Sequence, residues 1–257
     1  MNKFNIAKYV LFDIIRNKWL ITYSIIFFIT SSLLTYFSGT EERTISSLLN
    51  VVLIIIPLVC LIFTSMYYYN SRDFIQMLLT QPVERSNIFF SEYIGLSISL
   101  IFAFLLGILF PIFSFGLTLS ILILVVVGIF LIFIFTSLSM LFTVKFDDKL
   151  KGLGLILFIW LFLTVIYDGL LLYLYYLLAD YPIEKFTVIF ALLNPVDISR
   201  IAILMNLDLS AMMGLTGAAF LKFFSNPLGL IISFVSLIIW VILPIILASK
   251  NFSKKNF

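Results

Sequence analysis

Long apolar runs separated by short polar interruptions make up this chain. A helix needs about 20 predominantly apolar residues to cross a bilayer. Six runs meet that length, near 19–37, 46–69, 91–113, 117–144, 152–178 and 228–249. The pattern predicts an all-α, polytopic membrane protein with a single transmembrane domain, 1–257, of six helices. The third and fourth runs are separated only by Ser114-Phe115-Gly116, which predicts a tight hairpin. Pro57, Pro111 and Pro244 lie within or at the ends of runs, where a kink is tolerated if neighbouring groups recover the lost hydrogen bond.

The polar interruptions predict the remaining elements. In 1–18, Phe4, Ala7, Leu11, Ile14 and Ile15 fall on one helical side and Asn2, Asn5, Asp13 and Arg16 on the other. That is the pattern of a basic interfacial helix. The apolar run after it is too long for a signal peptide, and no small-residue cleavage site follows near Gly39, so the segment is expected to stay attached.

The stretch 67–95 carries Arg72, Asp73, Glu84, Arg85 and Glu92, and its part 70–90 reads as a loop between spans. A short amphipathic helix is predicted in its first half. Ser71 serves as N-cap and Asp73 complements the helix dipole, while Phe74, Ile75, Leu78 and Leu79 share one side. Pro82 stops this helix, and a second helical start follows at Ser86. Such a helix can lie on the lipid surface or fit a groove on a soluble partner.

The largest segment on the other side, 179–227, is apolar on both flanks of Asn194-Pro195-Val196-Asp197-Ile198-Ser199-Arg200. A single span there would bury Pro195, Asp197 and Arg200 near its middle. Two half-length helices lying against or dipping into that face are expected instead. Asp197 and Arg200, at i and i+3, can pair across one turn.

Composition and charge narrow the function. Hydrophobic residues are 63% of 257 and charged residues 11%, against about 45–50% and about 25% in a soluble domain. On a six-span plan, twelve Lys and Arg fall on the side of the termini and four, Arg43, Lys185, Arg200 and Lys222, on the other. The positive-inside rule then puts both termini and the 70–90 loop in the cytoplasm. Cys60 is the single cysteine, so no intramolecular disulfide forms. The chain has no histidine, which excludes H-E-x-x-H zinc sites and Ser-His-Asp triads, and no phosphate-binding G-x-x-x-x-G-K-[ST].

No metal site and no nucleic-acid partner are expected; membrane lipid is. Asp168, the one acidic residue placed well inside a predicted run, marks a pathway, an interhelical contact or partial exposure at the interface. The charged turn 145–151 is either a solvated turn with anchoring lysines or a minor contact to the partner that the 70–90 loop engages.

The residues 72–95, from Arg72-Asp73-Phe74-Ile75 through Gln81-Pro82-Val83-Glu84-Arg85 to Glu92-Tyr93-Ile94-Gly95, resemble the first cytoplasmic loop of ABC-2 type permeases. The shared pattern is a polar start, a Leu-rich turn, Pro-(Val/Leu), a charged pair, an aliphatic-aromatic run and a closing Gly. Three further stretches are similar to NosY-type permeases. They are Asn194-Pro195-Val196-Asp197-Ile198-Ser199-Arg200, the run from Trp160 to Leu172 with its Tyr167-Asp168, and Arg16-Asn17-Lys18-Trp19.

The resemblance implies a non-catalytic permease subunit that pairs with a second copy of itself and with a cytoplasmic ABC ATPase (NosF-like). ATP and Mg would be held on that partner, with no cofactor in this chain. It implies a coupling helix drawing on Arg72, Asp73, Phe74, Met77, Leu78, Leu79, Pro82, Glu84 and Arg85. It also implies a periplasmic β-helical partner (NosD-like) at the outer face, with Asn194, Pro195, Asp197 and Arg200 as candidate contacts. The setting is the bacterial cytoplasmic membrane and maturation of the copper sites of nitrous oxide reductase. Lacking His and with one Cys, the chain offers little for dedicated copper ligation. Met205, Met212 and Met213 either present thioethers or simply pack. Alternatives are an ABC-2 exporter of a drug, lipid or peptide, or an intramembrane enzyme, for which a lone Asp168 lacks the paired groups that catalysis requires.

Overall fold

The computed structural model describes residues 10–14, 16–178, 184–207 and 227–255, and all their regular structure is helical. Helix α1 is Lys18–Ser38, α2 Glu41–Asn70, α3 Arg72–Leu79, α4 Arg85–Phe115 and α5 Leu119–Lys145. Then come α6 Lys149–Leu161, a π-helical turn Phe162–Ile166 and α7 Tyr167–Leu177, followed by α8 Glu184–Leu192, α9 Pro195–Asn206 and α10 Pro227–Lys254. Six helices are long and apolar enough to cross a membrane: α1, α2, α4, α5, the continuous α6–α7 rod Lys149–Leu177, and Ile231–Lys254 of α10. The six helices expected from the apolar runs are therefore present, each long and apolar enough to span. The expected interfacial helix is described only from residue 10 onward, where Val10 and Ile14 are buried. Its first nine residues lie outside the described ones, as do 208–226 with Met212, Met213 and Lys222.

Local chemistry fixes the helix ends. The Asn17 side chain caps α1 by accepting from the Trp19 N–H, and Gly39, at φ 68°, turns the chain out of that helix. The hairpin between α4 and α5 uses Gly116 at φ 81° and Thr118 as cap, so it spans 116–118 rather than 114–116. Helices run unbroken through Pro57, Pro111 and Pro244. Both α2 and α4 extend beyond their apolar runs, because their polar ends, such as Glu41-Glu42 and Arg85-Ser86, continue the same rod.

The core lies among α2, α4 and α5, where half of each apolar window is buried; in the three flanking spans only 17–22% is. Lipid is as apolar as leucine, so spans are held by close contact and interhelical hydrogen bonds. Both are visible here. Phe27 of α1 lies over Gly107 of α4, and Phe104 of α4 lies over Gly128 of α5, with the two rings 5.6 Å apart. A Cβ on Gly107 would meet Phe27 at 2.0 Å, and one on Gly128 would meet Phe104 at 2.3 Å. Ser139 of α5 donates to the Leu61 carbonyl of α2 at 2.8 Å, an interaction worth about 0.6 kcal/mol on average between spans. The outward surface is apolar, as with Ile25, Ile29, Ile239 and Leu243. Exposed aromatic residues stand near the helix ends: Trp19 at one, and Tyr36, Phe37, Phe113 and Tyr176 at the other. That distribution is the aromatic belt of a membrane protein.

Candidate functional sites at the two ends of the bundle

The end that gathers most of the basic residues is built around α3. Its apolar face points inward: Ile75 is 0% and Leu78 1% exposed, packed with the core of this same chain. Phe74 and Leu79 are half-buried, while Asp73, Gln76, Met77, Thr80, Gln81, Pro82 and Glu84 are exposed. The apolar face that the sequence leaves to lipid or to a partner's groove is turned inward at Leu78, and Met77 is the large apolar side chain standing outside. Ser71 does not cap the helix with its side chain, because its hydroxyl donates back to the Tyr68 carbonyl. The backbone continues almost directly from α2, and the Ile75 N–H bonds the Ser71 carbonyl. Pro82 lies beyond the end of α3, as expected.

Charged contacts tie α3 to the rest of this face. Arg72 donates to both the side-chain carboxylate and the backbone carbonyl of Asp147, in the turn after α5. Lys255, at the end of α10, pairs with the same carboxylate at 2.8 Å and donates to the Val144 carbonyl at 2.7 Å. Hydrogen bonding and charge from Lys255, reinforced by Arg72, hold the Asp147 carboxyl below the usual carboxylate range. Arg85 donates to the carbonyls of Ser253 and Lys255, and Lys149 to the Asn70 side chain. The Tyr69 hydroxyl donates to the Phe146 carbonyl and lies so close to Gly152 that a Cβ there would sit 1.9 Å from it. The 145–151 turn is thus a hub joining α2, α3 and α10, a role its charge pattern alone did not reveal.

At the opposite end, α9 is enclosed on nearly every side, with Val196, Ile198, Ile201, Ala202 and Ile203 all at most 3% exposed. Two short helices, α8 and α9, occupy 184–206, and α9 packs among α2, α5 and α10. Asn194 caps α9, its side-chain oxygen accepting from the Val196 N–H, and Pro195 takes the first helical position, where no N–H is needed. The Asn194 amide also donates to the Leu163 carbonyl at 2.8 Å. Leu163 belongs to the π-helical turn, whose wider spacing leaves carbonyls short of intrahelical partners. One turn on, Asp168 accepts from Arg200 at 2.8 Å, and Arg200 also reaches Asp197 at 3.3 Å. The Tyr167 hydroxyl completes the staple on the Phe190 carbonyl at 2.7 Å.

The expected Asp197–Arg200 pair is therefore present, and Asp168 makes an interhelical contact rather than standing alone. Burial, with the neighbouring Asp168 carboxyl adding to it, pushes Asp197 above the ordinary carboxylate range; Arg200 opposes this only in part, being shared with Asp168.

Two features escaped the sequence reading. One is Glu92: placed at the mouth of a span, it is a wholly buried carboxylate inside α4. The other is a cavity of about 800 Å³ between the 10–14 segment, α1 and α2, apolar along Ile26, Leu58 and Phe63 and rimmed by Asp13, Asn17 and Asn70. The chain matches no protein-family model and no curated protein.

Proposed function

We propose that this chain is the non-catalytic, membrane-spanning subunit of an ATP-binding-cassette exporter of the ABC-2 type, resembling NosY-type permeases. On this reading both termini, α3 and the 145–151 turn face the cytoplasm, in the bacterial inner membrane. ATP and Mg are bound by a separate NosF-like ATPase, and two copies of each subunit assemble. The Asn194–Arg200 end then faces a periplasmic β-helical partner. Work from ATP hydrolysis is delivered either to a transported species or mechanically to that partner.

The observation that carries the reading is the seating of α3. It is a two-turn helix fixed between two spans by Ile75 and Leu78 and strapped through Arg72, Asp147 and Lys255 to two other elements. A helix held in this way moves with its spans, which is what transmission of force from a docked ATPase requires. The docking surface is then Met77 with Asp73, Gln76 and the 80–84 turn. Met77→Glu places a charge in that contact and should weaken ATPase binding by about 2 kcal/mol or more, the scale of an interface anchor. Binding and ATP turnover measured on the purified pair, with the melting temperature of the chain unchanged, test this. Wild-type affinity in Met77→Glu would reject α3 as the docking element.

The apolar cavity favours a second reading of the cargo, in which the same permease exports an amphiphile rather than serving copper-site maturation. Competition for the cavity by a fluorescent lipid analogue, abolished by Leu58→Trp, separates the two.

A further inference from the structure

Neither carboxylate oxygen of Glu92 has a hydrogen-bond partner among the described residues, and its side chain has no exposed surface. The Tyr68 hydroxyl of α2 is likewise buried and unpartnered, and it lies close enough to Glu92 for the two to interact electrostatically. Three cations of this end are committed elsewhere: Arg72 and Lys255 to Asp147, Arg85 to the carbonyls at the end of α10. From the elements packed around it, Glu92 meets Tyr68. Arg72 of α3 and Asp147 of the following turn act on Tyr68, and Tyr93 points away to the Phe133 carbonyl of α5. An ionised carboxylate so placed has lost its water and gained no positive partner, which a low-dielectric interior does not tolerate. A neutral acid is the species that fits.

Position gives this group a consequence. Tyr68 precedes the start of α3 by one helical turn, and Glu92 stands about two turns into α4. The inward face of α3, Ile75 and Leu78, is buried at the junction with these two helices.

We propose that Glu92 is a buried proton-binding site beside Tyr68, which keeps its proton while α3 is seated and gives it up to entering water in the transient local openings of this end that amide exchange reports. The seated state then binds one proton more than the open state, so opening is favoured as pH rises. This holds whatever docks on α3 and goes beyond the assignment of the chain as a permease.

Two measurements on the full chain in lipid nanodiscs decide it. Infrared spectroscopy at neutral pH should show a carbonyl-stretch component of a protonated, buried carboxylic acid that is lost in Glu92→Gln, shifted in Tyr68→Phe and kept in Asp197→Asn. Amide hydrogen exchange of residues 72–79, divided by the intrinsic rate, should rise by up to about tenfold per pH unit above the ordinary carboxylate range, for as long as the seated state holds its proton, and stay flat in Glu92→Gln. If Glu92→Gln fails to fold, the wild-type band and its shift in Tyr68→Phe still decide protonation, and the wild-type exchange slope still decides linkage. Absence of the band, or a flat wild-type slope, overturns the proposal.

Discussion

Arg200 carries two acids at once, and this sets the order in which substitutions at the Asp168–Asp197–Arg200 cluster should hurt. Removing it leaves Asp168 and Asp197 facing each other without a cation, so Arg200→Met should be the most damaging. Asp168→Leu removes the closer, 2.8 Å partner but leaves Arg200 with Asp197 at 3.3 Å. Its cost should be about 1.5–3 kcal/mol, the worth of a hydrogen bond to a charged group. Asp168→Asn keeps an acceptor and should be mildest. Melting temperatures in nanodiscs give the ranking, and a larger loss in Asp168→Asn than in Arg200→Met would contradict the bridging role. The i, i+3 pair of Asp197 and Arg200 was legible because it is local. The Asp168–Arg200 contact joins residues 32 apart in sequence, and nothing in either segment specifies which helix the other meets.

The elements were legible to the extent that hydropathy defines them. The amphipathic pattern of α3 was plain, yet an apolar face does not say whether lipid, a partner or the protein's own spans will cover it, and here the spans cover Leu78. The π-helical turn Phe162–Ile166 was invisible, since Phe-Leu-Thr-Val-Ile contains neither Gly nor Pro and reads as ordinary span. Its stabilising partner, Asn194, lies in a different helical hairpin. Glu92 was missed for the opposite reason: it lies next to true loop charges, and hydropathy trims such residues from the span.

The contacts of Asp147 and Asp197 should respond oppositely to pH. Asp147 is held below its ordinary range, so its contribution is present above the unfolded carboxylate range and lost as pH falls through the folded value. Asp197 is raised, so its contribution is present at low pH and lost as pH rises from the ordinary carboxylate range through the folded value. Hydrogen exchange resolved by segment should show acid loosening at 145–151 and loosening towards alkaline pH at 194–200. The same direction in both segments would refute these assignments.

At the scale of the whole molecule, six apolar runs yield six long helices, and the run boundaries fall within a few residues of the observed ones except where polar helix ends project. Which helices form the core was not legible, because all six runs are similarly apolar. The choice is made by small residues under rings, such as Gly107 under Phe27 and Gly128 under Phe104, whose meaning emerges only once the helices are paired. The proposed function makes the chain half of a symmetric pair, since one coupling helix serves one ATPase and such ATPases close as pairs. The most direct test is the native mass of the complex purified from its own membrane through a tag on this chain. The account predicts two copies of the chain with two copies of an ATP-binding-cassette ATPase, reduced to the chain without ATPase in Met77→Glu. A wild-type chain purified from intact, transport-competent membranes with no such ATPase, or one chain per ATPase pair, would contradict it.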